Sequence, residues 1–227
     1  MGTSSFAYLQ QLDTNALSDA NWETLFDTQA VRKIKRGVYL YLPDERADKV
    51  YLLLEGNVKV GTYGSGGREI TKAIYRAGDI LGEEAIFGEE QRRNFAYTLE
   101  SVKIAVISTS DFLRKIRRHH GLHMKLLKTV GNRLLATEQR LESMVFKNSR
   151  SRIIEFLHQM GERQGQRVGY EMLVRKFLTH QEIANLTATS RQTVTTILNE
   201  LRNANVITFN RKRLLIRDMD RLASMVA

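Results

Sequence analysis

The chain of 227 residues contains no cysteine. That absence excludes disulfides, a thiol nucleophile, cysteine-ligated zinc and cysteine-ligated iron–sulfur clusters. Long apolar runs are also missing: none approaches the roughly 18 residues that cross a bilayer, so no membrane partner is expected. The start, MGTSSFAYLQQLDTN, lacks a basic stretch followed by an apolar one, and a cytoplasmic protein without a secretory leader is expected. No internal repeat or low-complexity tract occurs. The segment 31–107 has no histidine, which argues against an enzyme that uses a β-barrel as a cupin-like metal site. His119, His120 and His123 crowd together outside it, with His158 and His180 on other elements, and read as exposed side chains rather than metal or haem ligands. Neighbouring carboxylates such as Glu83 and Glu84, or Glu89 and Glu90, seldom converge on one substrate atom. No catalytic site is expected, and no metal.

What is present is an ordinary globular composition, 42% hydrophobic and 26% charged, on a chain long enough for two modest cores. The net charge of +10 is shared unequally. Residues 1–147 carry 22 Lys/Arg against 18 Asp/Glu, and residues 148–227 carry 13 against 7. The shorter segment is denser in positive charge, as a nucleic-acid footprint requires.

Between Val31 and Ile107 short β-type segments such as VYLYL, KVYLLLEG and NVKVGTYG alternate with glycines, the pattern of a compact antiparallel sandwich or barrel. Before Ala30 short helices are expected, packed through Leu17, Trp22, Leu25 and Phe26. After Asp111 the period becomes helical over about 110–146, broken near Gly121. Leu127, Val130, Leu134, Thr137, Leu141 and Met144 recur every three or four residues, the seam of a two-stranded coiled coil, so a homodimer is expected. A domain boundary is placed near Lys147. A further helix, SRIIEFLHQM, is expected to stop at Gly161, with GERQGQRVG as a surface loop.

The run LTHQEIANLTATSRQTVTTILNELRNANVI is the most informative. Thr179 with Glu182 forms a capping box for one helix, and Ser190 is an N-cap for a second. Ile183, Ala184, Val194, Ile197 and Leu198 supply the small and apolar positions that let two helices cross closely, as in a helix-turn-helix. Downstream, NVITFNRKRLLI reads as two short strands around the basic turn Arg211, Lys212 and Arg213, a wing suited to phosphate contact.

Taken together, the glycine-punctuated β segments, GDILGEEAIF, the heptad helix, SRIIEFL and the QEIA…SRQTV…L core resemble the Crp/Fnr transcription regulators over nearly the whole chain. The resemblance implies an α+β architecture: an antiparallel β-roll sensor of the cyclic-nucleotide-binding jelly-roll type with a dimerisation helix in residues 1–147, then a winged helix-turn-helix in 148–227. It implies a dimer that binds two-fold related double-stranded DNA, with Arg191, Gln192 and Thr196 reading base edges from the start of the second helix. Thr179, Gln181, Ser190 and Thr193 would hold phosphates, as would the basic turn. Gln192 stands where prominent members carry glutamate and Thr196 where they carry arginine, so the sequence preference should differ. Ala188 takes the place of a common turn glycine, at about 1 kcal/mol of strain.

For the sensor, the resemblance places Gly82 and Glu83 at a phosphate- and ribose-binding helix start, with Arg93 ten residues after Glu83. The family pattern Arg-Ser-Ala is here Arg93, Asn94, Phe95, and beside Thr137 on the helix a serine is replaced by Glu138. Three readings stay open: cyclic AMP or another cyclic nucleotide, a different small anion held by Arg92 or Arg93, or no effector. RNA polymerase is an implied further partner, through loops at Gly64 to Arg68 and Gly161 to Gly169.

Overall fold

The computed structural model describes residues 22–26 and 31–226. Leu17 and the other expected helical positions before Trp22 lie outside them; Trp22, Leu25 and Phe26 are buried as expected, on a short 3-10 turn, Trp22–Leu25. Contacts divide the chain into two units. One runs up to Thr62 and from Lys72 to Leu135; the other comprises Tyr63–Thr71 and everything from Ala136.

The first unit is built on strands β1 (Val31–Ile34), β2 (Tyr39–Tyr41), β3 (Lys49–Glu55), β4 (Asn57–Tyr63), β5 (Glu69–Arg76), β6 (Ile80–Leu81), β7 (Phe95–Thr98) and β8 (Val102–Ser108). They form two four-stranded sheets, ordered β1-β8-β3-β6 and β2-β7-β4-β5. Strand β3 shows why both faces hold. Its period of two sends Val50 and Leu52 to a cluster with Ala105, Ile107 and Phe112. Tyr51 and Leu53 go to another with Val58, Ala96 and Ile104. Each fully buried Leu, Ile or Phe contributes about 1.5–3 kcal/mol.

Two helices follow, with the break at residues 117–119, close to the expected position near Gly121. Helix α1 (Thr109–Ile116) is capped by Ser108, whose Oγ accepts from Asp111 N at 3.0 Å, and buries Phe112 and Ile116. Helix α2 (His120–Phe146) then contains Gly121 within its first turn. The dimer-helix candidate is therefore 120–146, since α1 spends its apolar face on the roll.

The second unit holds α3 (Ser149–Gln164), strands β9 (Gln166–Val168) and β10 (Glu171–Val174), helices α4 (His180–Thr187) and α5 (Arg191–Asn203), strands β11 (Ile207–Phe209) and β12 (Leu214–Ile216), and α6 (Met219–Ser224). Its sheet is ordered β11-β12-β10-β9. Ile153, Ile154 and Leu157 of α3 meet Ile183, Val194, Leu198, Leu214 and Ile216 in one core. Gly161 does not stop α3. A Cβ there would lie 2.7 Å from Ile216 Cδ1 and 2.9 Å from Met219 Sδ, so the residue is small to let the helix approach β12 and α6. The expected loop GERQGQRVG is accordingly the last turn of α3 and strand β9.

Gly56, between β3 and β4, has φ +87°, and a Cβ would lie 2.8 Å from both Ser101 O and Val102 Cγ1. Gly56→Ala is expected to cost the β-roll about 2 kcal/mol. Urea unfolding followed by far-UV circular dichroism checks this; an unchanged midpoint would contradict the clash.

Candidate functional site

The helix-turn-helix is set by local chemistry at each end of α4 and α5. Thr179 Oγ1 accepts from Glu182 N at 3.2 Å, while Thr179 N donates to Glu182 Oε2 at 2.7 Å, the reciprocal capping box. Ser190 Oγ accepts from Thr193 N at 3.0 Å and starts α5. Between them Ala188 takes φ +51° and ψ +48°. A left-handed alanine is the cost of a turn this tight, and it leaves Ile183, Ala184, Val194, Ile197 and Leu198 all buried where the helices cross.

This crossing decides which side chains face outward. Arg191, Gln192 and Thr196 are exposed along the first turns of α5, and Ser190 and Thr193 sit at its N-terminus. The unpaired amides and positive dipole end there favour a phosphate, while the three outward side chains offer donors and acceptors suited to base edges. Thr179 and Gln181 are exposed at the start of α4; Gln181 Nε2 donates to Asn185 Oδ1 at 2.8 Å along its own helix. In the wing, Asn210 Oδ1 accepts from Lys212 N and Arg213 N at 2.9 Å each, which folds the turn tightly and leaves Arg211, Lys212 and Arg213 exposed.

One member of this surface was expected to be simply an exposed side chain and is half-buried instead. His180, at the start of α4, has Nδ1 2.8 Å from Thr195 Oγ1 on α5 and its ring 5.8 Å from Phe209 on β11. It thereby ties α4, α5 and the root of the wing together. A histidine at a helix's first position carries no sequence signal of such a tertiary role.

The seam of α2 is uncovered in the single chain. Leu127 is 64% exposed, Leu134 59% and Leu141 62%, with Met144 also exposed, Val130 half-buried and Thr137 on the same open stretch. Apolar side chains exposed at this spacing along one helix need a partner surface.

In the roll, Gly82 is left-handed at φ +77° and precedes a short 3-10 helix, Glu83–Phe87. The expected anion ligands divide. Arg92 is buried: Nη1 donates to Gly82 O at 2.9 Å, Nη2 to Lys49 O, and its guanidinium lies 4.5 Å from the centre of the Tyr41 ring. It holds the roll together from inside. Arg93 points out and pairs with Glu89 at 2.7 Å, while Asn94 is half-buried and Phe95 fully buried edge-on to Tyr39. Glu83 is held by Arg133 of α2, whose Nη2 also donates to Ile80 O at 2.6 Å and whose guanidinium lies 4.5 Å from the Tyr75 ring centre. Arg133 was missed because it lies 50 residues away from Glu83 in sequence. Burial, and secondarily Glu84, raises the Tyr41 hydroxyl well above its usual range; burial also raises Tyr75, against the pull of Arg133. Both rings therefore stay neutral. A cleft of about 930 Å³ beside this helix is lined by Asp44, Asp48, Glu89 and Glu90 with Arg46, a balance that suits an anion poorly.

Among the described residues no group of carboxylates and histidines could hold a metal ion, and no helix is long and apolar enough to cross a membrane.

Two domain families match the chain: a cyclic nucleotide-binding domain over residues 31–119 and a Crp-like helix-turn-helix domain over 151–225. The chain is 32% identical, over 83% of its length and 84% of the relative's, to a CRP-like cAMP-activated global transcriptional regulator of Mycobacterium tuberculosis. It is 26% identical, over 82% and 84% of the two lengths, to a global nitrogen regulator of Synechocystis. Among solved structures, a mutant of CooA from Carboxydothermus hydrogenoformans superposes with a TM-score of 0.77 at 25% identity, covering 90% of this chain and 89% of that one. FixK2 of Bradyrhizobium japonicum shares the fold, with a TM-score of 0.76 at 21% identity over 87% and 96% of the two chains.

Burial, and next the nearby Arg191 charge, lower the pKa of His180 below its usual 6.5. The folded unit thus holds His180 neutral while the unfolded chain takes up a proton first. Its contribution is present above about pH 6.5 and is lost as pH falls through the lower folded value. Thermal unfolding between pH 7.5 and 5 should show His180→Gln with a flatter pH dependence than the wild type; parallel curves would refute the shift.

Proposed function

We propose that this chain, which belongs to the Crp/Fnr family of DNA-binding transcription regulators, acts as a cytoplasmic homodimer that presents two α5 helices to two-fold related half-sites. The observation that carries this reading is the set of exposed side chains at the start of α5, which Ser190 caps, flanked by the basic wing turn. In it Arg191, Gln192 and Thr196 address base edges, while Thr179, Gln181, Ser190, Thr193, Arg211, Lys212 and Arg213 hold the backbone. The uncovered α2 seam from Leu127 to Met144 supplies the dimer contact, and Lys147 marks the boundary between sensor and DNA-binding domains. RNA polymerase is a further partner through the surface of the dimer bound beside a promoter.

The cyclic nucleotide-binding domain supports control by a cyclic nucleotide or another small anion at Gly82, Glu83 and Arg93, with Asn94 alongside. Arg93 is the available cation, because an exposed ion pair such as Arg93–Glu89 costs little to give up. Arg92 is committed to backbone carbonyls. A second reading, a regulator without effector, is favoured by the Arg133–Glu83 pair, which occupies the carboxylate that would take a sugar hydroxyl. Calorimetry with cyclic AMP, cyclic GMP and 2-oxoglutarate separates the two. Heat that Arg93→Ala abolishes supports the first, and no heat with any of them supports the second.

Selection from a random duplex library tests the main reading. A two-fold symmetric site should emerge, and Gln192→Glu should shift one position of each half-site away from adenine, with about 1–3 kcal/mol of discrimination at stake. Leu134→Glu should yield monomers and abolish operator binding. A wild-type protein that is monomeric in sedimentation, or that selects no site, overturns the proposal.

A further inference from the structure

Helix α4 ends without glycine or proline, and its last carbonyls have no intrahelical partner. Backbone bonds from the turn reach only Ala184 O, from Ala188 N and from Thr189 N at 3.0 Å. The carbonyls that follow are taken by two arginines rooted elsewhere. Arg140, on α2, donates from Nη2 to Leu186 O at 2.6 Å and Asn185 O at 3.5 Å. Arg152, on α3, donates from Nε to Thr187 O at 3.0 Å and from Nη2 to Ala188 O at 3.4 Å. Four successive carbonyls of the helix end and turn therefore receive guanidinium N–H groups. Two positive charges sit at the negative end of the α4 dipole, and the left-handed Ala188 is held between them.

The two anchors differ in what carries them. Arg152 also donates from Nη1 to Lys147 O at 2.7 Å and lies on α3, whose core residues pack directly against the helix-turn-helix. Arg140 lies on the helix that bears the dimer seam. We propose that Arg140 is a positioning residue through which α2 sets the helix-turn-helix: movement of α2 along α4 must carry the Asn185 and Leu186 carbonyls with it or break these bonds. Arg152 is the fixed half of the clamp and Arg140 the half that responds to the dimer helix. The turn at Ala188 fixes the direction in which α5 leaves, so a binding-competent dimer is the one in which Arg140 stays engaged. This rests on the reading of α5 as the DNA-facing helix.

The full-length dimer tests it, through Arg140→Met and Arg140→Lys. In DNA-free protein, hydrogen exchange at the Ala188 and Thr189 amides should speed up in R140M and less so in R140K, which keeps the charge and one carbonyl contact. Affinity for the selected operator should fall on the order of tenfold in R140M, the size of one lost charge-assisted hydrogen bond, with partial recovery in R140K. Affinity for random duplex and the salt dependence of binding should not change, because Arg140 does not touch phosphate in this account. Unchanged exchange with unchanged operator affinity overturns the proposal. So does a shallower salt dependence, which would make Arg140 a phosphate ligand. If R140M does not fold, the same comparison is read from R140K against wild type, with smaller shifts expected. If wild-type protein selects no operator, the exchange measurement still decides the clamp, and it is the DNA-binding reading that falls.

Discussion

The close crossing of α4 and α5 is the constraint on which the rest of the second unit depends. Ala184 and Val194 are fully buried between the helices, and Ile183 and Leu198 extend that contact into a core shared with α3 and the sheet. Two helices can approach this closely only if the residues at the crossing are small or well fitted, and only if the link between them is short. The link here runs through a left-handed alanine. That local cost is offset by the buried apolar surface and by the hydrogen bonds the turn receives from Arg140 and Arg152. Once the crossing is fixed, so are the outward face of α5 and the position of the wing that follows it.

The same unit places its polar groups where they stiffen rather than soften this arrangement. Glu155 accepts from Ser143 Oγ at 2.8 Å and from Lys147 Nζ at 2.7 Å, tying the end of α2 to α3. Asn148 caps α3 through Ser151 N at 2.9 Å. With Arg152 reaching back to Lys147 O, the junction between α2 and α3 is bonded on several sides. The link between α2 and α3 is thus a set of packed, hydrogen-bonded groups rather than a slack linker.

In the first unit the strongest electrostatic features are internal. Arg92, buried under Tyr41, gives its two Nη groups to backbone carbonyls. Burying a guanidinium is tolerable only when such partners are supplied, and this one closes the space between β3 and the turn at Gly82. Glu83, beside it in sequence, is held by Arg133. Arg93, by contrast, is exposed, and its ion pair with Glu89 is correspondingly weak.

The period-two strands, the heptad seam, the capping box and the Ser190 cap were legible in the sequence because each is a local pattern with a local cause: alternation, a 3.5-residue repeat, a hydroxyl placed to accept an amide. These determined the β segments, the long helix and the helix-turn-helix, while the family resemblance implied the α+β architecture and pointed to Arg191, Gln192 and Thr196 at the start of α5. Tertiary structure decided the rest. Gly161 looked like a helix stop, yet serves as a gap for Ile216 and Met219; Arg92 looked like an anion ligand, yet faces inward; Arg133, Arg140 and His180 gave no local signal, yet join elements far apart in the chain. Their partners are backbone carbonyls and side chains that only folding brings near, and a guanidinium's role depends on which of these it meets, not on its neighbours in sequence.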